Sequence, residues 1–208
     1  IISLEPDLVL AHESGLGMGT EGLQQLTDAG LTVFVVDNAE SFEEVYDTIT
    51  VIGQATGSTE EANALVEEME VQVEEISEQA SNVEESKSVI VEVGSDPEIY
   101  TTGSGTFMHE MLELINAENV AGDQEGWGSM DPEAIVAADP DVIVTTEGGY
   151  IENAEEAIKS RSGFAEVTAV EEDAVYSIDS DAVTRSGPRL TEGLLELARS
   201  VYPEVFSE

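Results

Sequence analysis

One short phrase occurs twice in this chain, and it strongly limits the folds that the chain can adopt. Residues 5–11 read EPDLVLA and residues 139–145 read DPDVIVT. Each phrase is a turn followed by a short apolar run, then a Gly-containing loop, a helix-like stretch and a second apolar run that ends in Asp37 or Asp179. A buried strand, a helix and a second strand used twice predict two similar α/β lobes. Two such lobes leave a natural place to hold a ligand between them.

The rest of the chain alternates between period-2 and helical patterns, as expected for an α/β protein. We expect the segment 118–130, which is rich in Gly, to be a loop. Asp131 should cap a helix whose first residue is Pro132. The predicted strands are 8–11, 32–36, 89–93, 99–101, 142–146 and 174–178, and the other predicted helices are 21–29, 41–53, 106–116, 152–160 and 188–201.

The segment 58–86 contains neither Pro nor Gly, and its apolar residues recur at spacings of three and four. Ser58 and Glu61 have the spacing of a capping box at its start. The pattern predicts one continuous amphipathic helix, about 43 Å long at a rise of about 1.5 Å per residue. Such a helix could form half of a coiled-coil dimer, but its single stripe of small apolar residues favours packing across two lobes.

The charge balance excludes several classes of function. The chain carries 46 acidic and 6 basic residues, for a formal net charge of −40. A surface this acidic repels nucleic acid and anionic lipid. Because the carboxylates are spread along the whole sequence, we expect a surface adapted to concentrated salt, as in a halophile, and a looser fold in dilute buffer.

Composition also excludes several kinds of chemistry. The 208 residues contain no Cys and only two His, His12 and His109. Disulfides, thiolate sites and the His clusters of zinc or manganese importers are therefore excluded, and no metal site is expected. The sequence shows no signal peptide and no apolar run long enough to span a membrane.

The order of several phrases resembles the substrate-binding proteins of ABC importers for cobalamin and ferric siderophores, the class III periplasmic binding proteins. These phrases are PDLVLA, GLTVFVVD, YTTGSGTFMHEMLELINAENVAGD, DPEAIVAADPDVIV and SDAVTRSGPRL. The resemblance implies two Rossmann-like lobes joined by one long helix, with ligand held in the cleft and no catalysis. It implies an incomplete N-terminal lobe at 1–57, an inter-lobe helix at 58–86 and a C-terminal lobe at 87–208. The expected location is outside the cytoplasm, anchored at the cell surface, and the expected state is a monomer.

The same resemblance places five residues in the cleft, namely His12, Tyr100, Trp127, Asp181 and Arg185. The rings of Tyr100 and Trp127 offer flat apolar faces to a macrocycle or a catecholate. Arg185 suits planar or anionic groups through its fixed fork of donors. The implied ligands are an iron–siderophore, a corrinoid or a haem-type molecule, and no cofactor is expected.

Each of these residues also has a plainer interpretation. Trp127 could anchor a loop, Tyr100 could pack against its own strand, and Arg185 could simply pair with Asp179 or Asp181. His109 is expected on a helix surface, and haem ligation by His12 or Tyr100 stays open.

The resemblance also implies a partner, an ABC permease that binds acidic residues on both lobes. The matching positions are Glu21 and Glu133, each at the start of a predicted helix. Acidic residues are common there in any protein, because they oppose the helix dipole. Vitamin-binding members carry tryptophans where this chain has His12 and Val35, which favours an iron chelate over cobalamin.

Two other functions stay open at this point. A hydrolase could use paired carboxylates, although no nucleophile elbow, phosphate loop or metal triad is present. A structural or adhesion module of a cell surface would bind no small molecule. We expect a non-catalytic carrier that delivers a ferric chelate to an importer.

Overall fold

The computed structural model describes residues 1–95 and 98–206. Its first lobe is built around two parallel strands, β1 (Val9–His12) and β2 (Val33–Val36), joined through helix α1 (Glu21–Asp28). Helix α2 (Phe42–Thr56) follows, and the Ser41 hydroxyl caps it by accepting a hydrogen bond of 3.2 Å from the Glu44 N–H. Gly57, with a left-handed φ of 80°, ends the helix in the way that glycine does at a C-terminal cap.

The predicted long helix is present as α3 (Thr59–Ala80), but it ends earlier than residue 86. The Ser81 hydroxyl and the Asn82 amide donate to the carbonyl oxygens of residues 78 and 79, so these side chains take over acceptors that a continuing helix would need. Ser58 is the N-cap residue, but its side chain makes no capping hydrogen bond, so the predicted capping box is wrong.

Glycine at position 53 lets α2 and α3 cross closely, because a side chain there would collide with the Cβ of Ala62. At the other end of this helix pair, Met69 is 1% exposed and packs with Val45 and Ala39 in a small core of the first lobe. The connection between the lobes is therefore a packed helical pair and not a flexible linker.

The second lobe contains a sheet of four parallel strands in the order β5–β3–β7–β8. These strands are β3 (Ser88–Glu92), β5 (Glu118–Asn119), β7 (Val142–Thr145) and β8 (Val175–Ser177). A separate antiparallel ribbon pairs β4 (Ile99–Thr102) with β6 (Trp127–Met130). The segment 118–130 is therefore not only loop as predicted, because its two ends pair with β3 and β4.

Helices cover both faces of this sheet. Helices α3, α4 (Phe107–Leu114) and α9 (Leu190–Val201) pack on one face, and α5 (Pro132–Ala138), α6 (Ala154–Lys159) and α7 (Thr168–Glu171) pack on the other. A short helix, α8 (Ser180–Thr184), follows β8. Strand β7 is buried along its whole length, as expected for a central parallel strand covered on both sides.

The two copies of the repeated phrase have the same backbone turn. Glu5 has φ 46° and ψ 50°, and Asp139 has φ 47° and ψ 62°, both in the left-handed region. Each residue ends a helical segment, and the strand that follows is β1 or β7. The prediction of two α/β lobes joined by a helix is confirmed.

Candidate ligand-binding site

The candidate residues of the second lobe lie where its strands end. Glu92, Thr145 and Ser177 are the last residues of β3, β7 and β8, and the strand register aligns them in one row across the sheet. Ligands of parallel α/β sheets bind beyond this carboxyl edge. The segments that leave it are the ribbon, the 147–150 turn and α8, so this edge gathers Tyr100, Trp127, Asp181 and Arg185.

The ribbon places Tyr100 and Trp127 on the same face. Tyr100 pairs with Ser129 and Trp127 pairs with Thr102, and residues two apart in a strand share a face. The two rings are diagonal neighbours on that face, and they are 43% and 49% exposed. Phe107 supports the indole from below, edge to face, with 6.1 Å between ring centroids. Both aromatic side chains therefore stay accessible to a ligand.

Arg185 forms an ion pair with Asp181, one of the two partners considered from the sequence. The Arg185 Nε lies 2.7 Å from Asp181 Oδ1, and the arginine side chain is still 72% exposed. The hydrogen bond with Asp181 is the main cause that raises the pKa of Arg185, and the nearby Tyr150 raises it further. Asp179 pairs instead with Arg189, whose hydrogen bond lowers the pKa of that carboxyl group. An exposed guanidinium held by one carboxylate keeps donors free for a ligand.

Sequence reasoning missed Tyr150, which is 74% exposed and lies in the turn after β7. Together with Ser177, Asp179 and Asp181 it lines a cavity of about 460 Å³. Gly148 belongs to the same cavity, and a side chain there would come within 2.5 Å of the Ser177 hydroxyl oxygen. The signal was available: Gly148, Gly149 and Tyr150 follow the second copy of the repeated phrase.

A buried ion pair lies beneath this edge, and no local sequence pattern predicts it. Glu92 is fully buried and accepts two hydrogen bonds from Arg161, at 2.6 and 3.0 Å. The guanidinium also lies 4.8 Å from the centre of the Phe164 ring. Within the described residues, the buried hydroxyls of Thr101 and Ser177 have no hydrogen-bond partner.

His12 lies apart from these residues, at the end of β1 in the first lobe. Its Nδ1 is 2.8 Å from the Ser14 hydroxyl, so its recorded hydrogen bonds in the described chain are local. A cavity of about 360 Å³ adjoins it, lined by apolar and glycine residues that include Leu23 and Leu26. The four candidates of the second lobe therefore lie on segments that leave the same sheet edge, Tyr100 and Trp127 on the ribbon and Asp181 and Arg185 at α8, whereas His12 lies in the first lobe.

The two acidic positions considered for docking lie at helix starts. Glu21 is the first residue of α1 and Glu133 is in the first turn of α5, and both are exposed. Because α1 follows β1 and α5 precedes β7, both helix starts lie at the carboxyl edges of the strands. His109 contacts Asn119 and Glu113. Within residues 1–95 and 98–206, no three His, Asp or Glu side chains are arranged to hold a metal ion.

Two α/β lobes joined by helices, with exposed aromatic and charged side chains at the strand ends, define a two-lobed solute-binding protein. A family model described as "Periplasmic binding protein" matches residues 1–182. The chain belongs to this family, which consists of solute-binding proteins and not enzymes, in agreement with the expected absence of catalysis.

Three similar proteins show how far the likeness extends. An uncharacterized ABC transporter substrate-binding lipoprotein of Bacillus subtilis, YvrC, is 50% identical over 210 residues, which cover 100% of this chain and 66% of the relative. A cobalamin-binding protein of Halobacterium salinarum is 26% identical over 97% of this chain and 55% of its own length. A possible iron-binding, periplasmic solute-binding protein of Staphylococcus epidermidis has a solved structure that superposes with a TM-score of 0.89, at 39% identity, over 97% of this chain and 78% of that one.

This chain thus spans about two thirds or less of the length of these curated relatives. In the described part of the chain, no helix has both the length and the apolar character needed to cross a bilayer.

Proposed function

We propose that this chain is the ligand-binding part of an extracytoplasmic ABC-importer component, and that it carries a ferric siderophore in the cleft between its lobes. The residues proposed to contact ligand are His12, Tyr100, Trp127, Asp181 and Arg185, together with Tyr150. The boundaries proposed for the first lobe, the connecting segment and the second lobe are 1–57, 58–86 and 87–208, and helix α3 occupies Thr59–Ala80 of the connecting segment. The observation that carries the proposal is the shared, half-exposed face of Tyr100 and Trp127, at the same sheet edge from which α8 and the exposed Arg185 leave.

The aromatic pair supports a ligand with a flat or apolar surface. Two half-exposed rings on a rigid ribbon keep their apolar area available, and covering them removes that area from water. Phe107 fixes the position of the indole, so little side-chain entropy is lost when a ligand covers it.

The charged groups support an anionic ligand. In a chain of net charge −40, the exposed Arg185 is a local site of attraction for negative groups. Catecholate and hydroxamate chelates present oxygen atoms at their surface, which a guanidinium can bind through paired hydrogen bonds. Tyr150 lies close enough to contribute a hydroxyl group to the same region.

The descriptions of the relatives support a ligand that is an iron chelate or a corrinoid. The Staphylococcus structure is described as possibly iron-binding and the Halobacterium relative as cobalamin-binding. An iron chelate fits this chain better, because the exposed guanidinium of Arg185 and the hydroxyl of Tyr150 lie at the same sheet edge as the aromatic face. Corrinoid and haem are the alternatives that the experiment distinguishes.

The proposed partner is an ABC permease, which Glu21 and Glu133 would contact, one from each lobe. The Bacillus relative is a lipoprotein, which supports a location outside the cytoplasm and a membrane anchor. We propose that the protein acts as a monomer, since one chain supplies both sides of the cleft.

The test is a titration of Trp127 fluorescence in the full-length protein, in molar salt. The probes are a ferric catecholate, a ferric hydroxamate, cyanocobalamin and haemin. Trp127 is the single tryptophan of these 208 residues, and the part of the saturable quenching that is lost in Trp127→Phe reports this site. Saturation by a ferric chelate alone supports the proposal, and saturation by cyanocobalamin or haemin alone reassigns the cargo. No response from folded protein to any probe contradicts the carrier function.

Arg185→Ala and the matched control Arg199→Ala sharpen the test. Arg199 is an exposed arginine near the end of α9, on the groove beside α3. We expect Arg185→Ala to weaken binding of the ferric chelate by roughly tenfold, the effect of one charge-assisted hydrogen bond. Arg199→Ala should leave the affinity unchanged, and equal losses in both variants would indicate a general charge effect.

A further inference from the structure

The first lobe is attached to the second at a point other than α3. Phe42 begins α2, and its backbone N–H donates to Glu110 Oε2 of α4 over 2.8 Å. The Phe42 side chain is 3% exposed and belongs to a core whose other buried members all lie between residues 76 and 206. The start of α2 is therefore inserted into the second lobe, and Glu110 satisfies the first unpaired N–H group of that helix.

One turn before Glu110, the same helix, α4, also contacts the β4–β6 ribbon, which carries the proposed ligand-binding residues Tyr100 and Trp127. The hydroxyl of its cap, Thr106, lies 2.7 Å from the hydroxyl of Thr102, which is the cross-strand partner of Trp127. Phe107, the first residue of α4, contacts the Trp127 ring. Trp127, α4 and the start of α2 thus form one continuous series of contacts from the cleft to the first lobe.

Like charges oppose this contact. A cavity of about 450 Å³ separates Glu40 and Glu44 on the first-lobe side from Glu110 and Glu113 on α4. Burial raises the pKa of Glu110, the Phe42 N–H lowers it, and the neighbouring Glu113, Glu43 and Glu44 raise it again. The hydrogen bond to Phe42 therefore works against burial and repulsion, so the orientation it holds is sensitive to the loss of that one acceptor.

We propose that Glu110 is an inter-lobe positioning residue: it fixes the angle at which the first lobe faces the β4–β6 ribbon, and through that angle it sets the width of the ligand cleft. Glu110 acts through Phe42 and does not touch the ligand. The effect on lobe orientation stands on the contacts above, whereas the effect on affinity rests on the function proposed in the preceding section.

The first experiment measures lobe orientation without any ligand. The chain has no cysteine, so Gln25→Cys on α1 and Glu171→Cys on α7, both exposed, accept two spin labels selectively. We expect a narrow distribution of label distances in this background and a broader or shifted one after Glu110→Ala. Glu110→Gln should restore the narrow distribution, because the glutamine oxygen accepts the same N–H.

The matched control is Glu113→Ala, which removes a carboxylate from the same helix and the same cavity. Glu113 is 67% exposed, and its charged-group contact is with His109 on its own helix. We expect this variant to keep the narrow distribution. Should Glu110→Ala not fold, Glu110→Asp replaces it, since the shorter side chain no longer reaches Phe42.

The second measurement is hydrogen exchange at the Phe42 amide, followed by NMR. Loss of Glu110 should speed this exchange by roughly tenfold, as expected for loss of one charge-assisted hydrogen bond. Glu113→Ala should not change it. Unaltered label distances and unaltered exchange in Glu110→Ala would overturn the proposal.

The third measurement is the fluorescence titration with whichever ferric chelate the wild-type protein binds. Glu110→Ala should weaken binding by roughly tenfold, with rescue by Glu110→Gln. If wild type and Glu110→Ala bind the ferric chelate equally well, the proposed effect of Glu110 on the cleft is wrong. If the wild type binds no probe while the label distances still respond to Glu110, the carrier function fails and the positioning role stands.

Discussion

Both lobes contain nearly the same phrase, but its surroundings differ greatly between them. In the second lobe, strand β7 is buried on both faces. In the first lobe, β1 alternates between partly buried and exposed residues and, among residues 1–95 and 98–206, pairs with β2 alone. The backbone turn is nevertheless the same, with a left-handed Glu5 in one copy and a left-handed Asp139 in the other. The local sequence therefore determines the turn, and burial of the strand does not.

The second copy of the turn is also tied to its surroundings by side chains. Asp139 Oδ1 accepts from the Thr168 N–H at 2.8 Å, and Asp141 Oδ2 accepts from the N–H and hydroxyl of Ser88 at 2.7 and 2.8 Å. Within the described residues, no side-chain hydrogen bond of this kind is found for Glu5 or Asp7. In a protein of these 208 residues, the second lobe should therefore provide most of the stability, and residues 1–57 should tolerate substitution.

The largest effect is expected from the buried ion pair of the second lobe. Arg161→Ala leaves Glu92 buried without a partner, and such a change costs about 3–5 kcal/mol of unfolding free energy. Arg161 is 20% exposed, so we expect a value at the lower end of this range. Urea unfolding in molar salt measures it.

The control for this prediction is Arg189→Ala, which breaks an exposed pair with Asp179 in the same lobe. Its cost should be much smaller than that of Arg161→Ala, because solvent screens exposed pairs. Equal costs for Arg161→Ala and Arg189→Ala would mean that burial does not decide the strength of these pairs.

An intermediate effect is expected from equivalent positions of the repeat. Val144 in β7 is fully buried and Leu10 in β1 is 43% exposed. Val144→Ala should lower the unfolding free energy by about 2–3 kcal/mol, through lost burial and a residual cavity. Leu10→Ala removes more atoms but should cost less than about 1 kcal/mol.

Urea unfolding of the two variants tests the comparison of the lobes directly. If Leu10→Ala is the more costly of the two, the first lobe contributes more to stability than its exposure indicates.

Much of this architecture could be predicted because it depends on local patterns. The repeated turn and the strands around residues 9, 33, 89 and 142 all follow from neighbouring residues. The end of α3 was missed because Ser81 and Asn82 compete for helix carbonyls, which apolar periodicity does not register. The adaptation to salt stays a prediction.

The site itself was predicted in part. The pair Asp181 and Arg185 could be expected, because it is local on the chain, four residues apart. Strand β6 could not be predicted, because it forms only by pairing with β4. The pair between Glu92 and Arg161 and the pair between Phe42 and Glu110 could not be predicted either. Those partners are 69 and 68 residues apart, and only the folded chain brings them together.

The smallest effect is expected where the two lobes meet, in the pH dependence of stability. Burial is the main cause that raises the pKa of Glu110 above 4.5, with repulsion from Glu113, Glu43 and Glu44 in support and the Phe42 N–H opposed. Tyr46 of α2 faces the same contact, and burial followed by the charges of Glu70 and Glu110 raises its pKa to about 12, so it stays neutral and uncharged over this range. A carboxyl group whose pKa is raised by folding stabilises the folded state at low pH, and that contribution is lost as the pH rises through the folded-state pKa.

Glu110→Gln should therefore change the slope of stability with pH. The difference in unfolding free energy, wild type minus Glu110→Gln, should fall as the pH rises from about 4 to about 7. Thermal or urea unfolding across this range, in molar salt to limit effects of the net charge, gives the difference. Glu171→Gln removes the same charge from exposed α7 and serves as the control. If the difference in unfolding free energy for Glu110→Gln stays constant or grows with pH, the start of α2 is not held against opposing charge. The stability of the contact between the lobes would then depend on pH no more than the stability of either lobe alone.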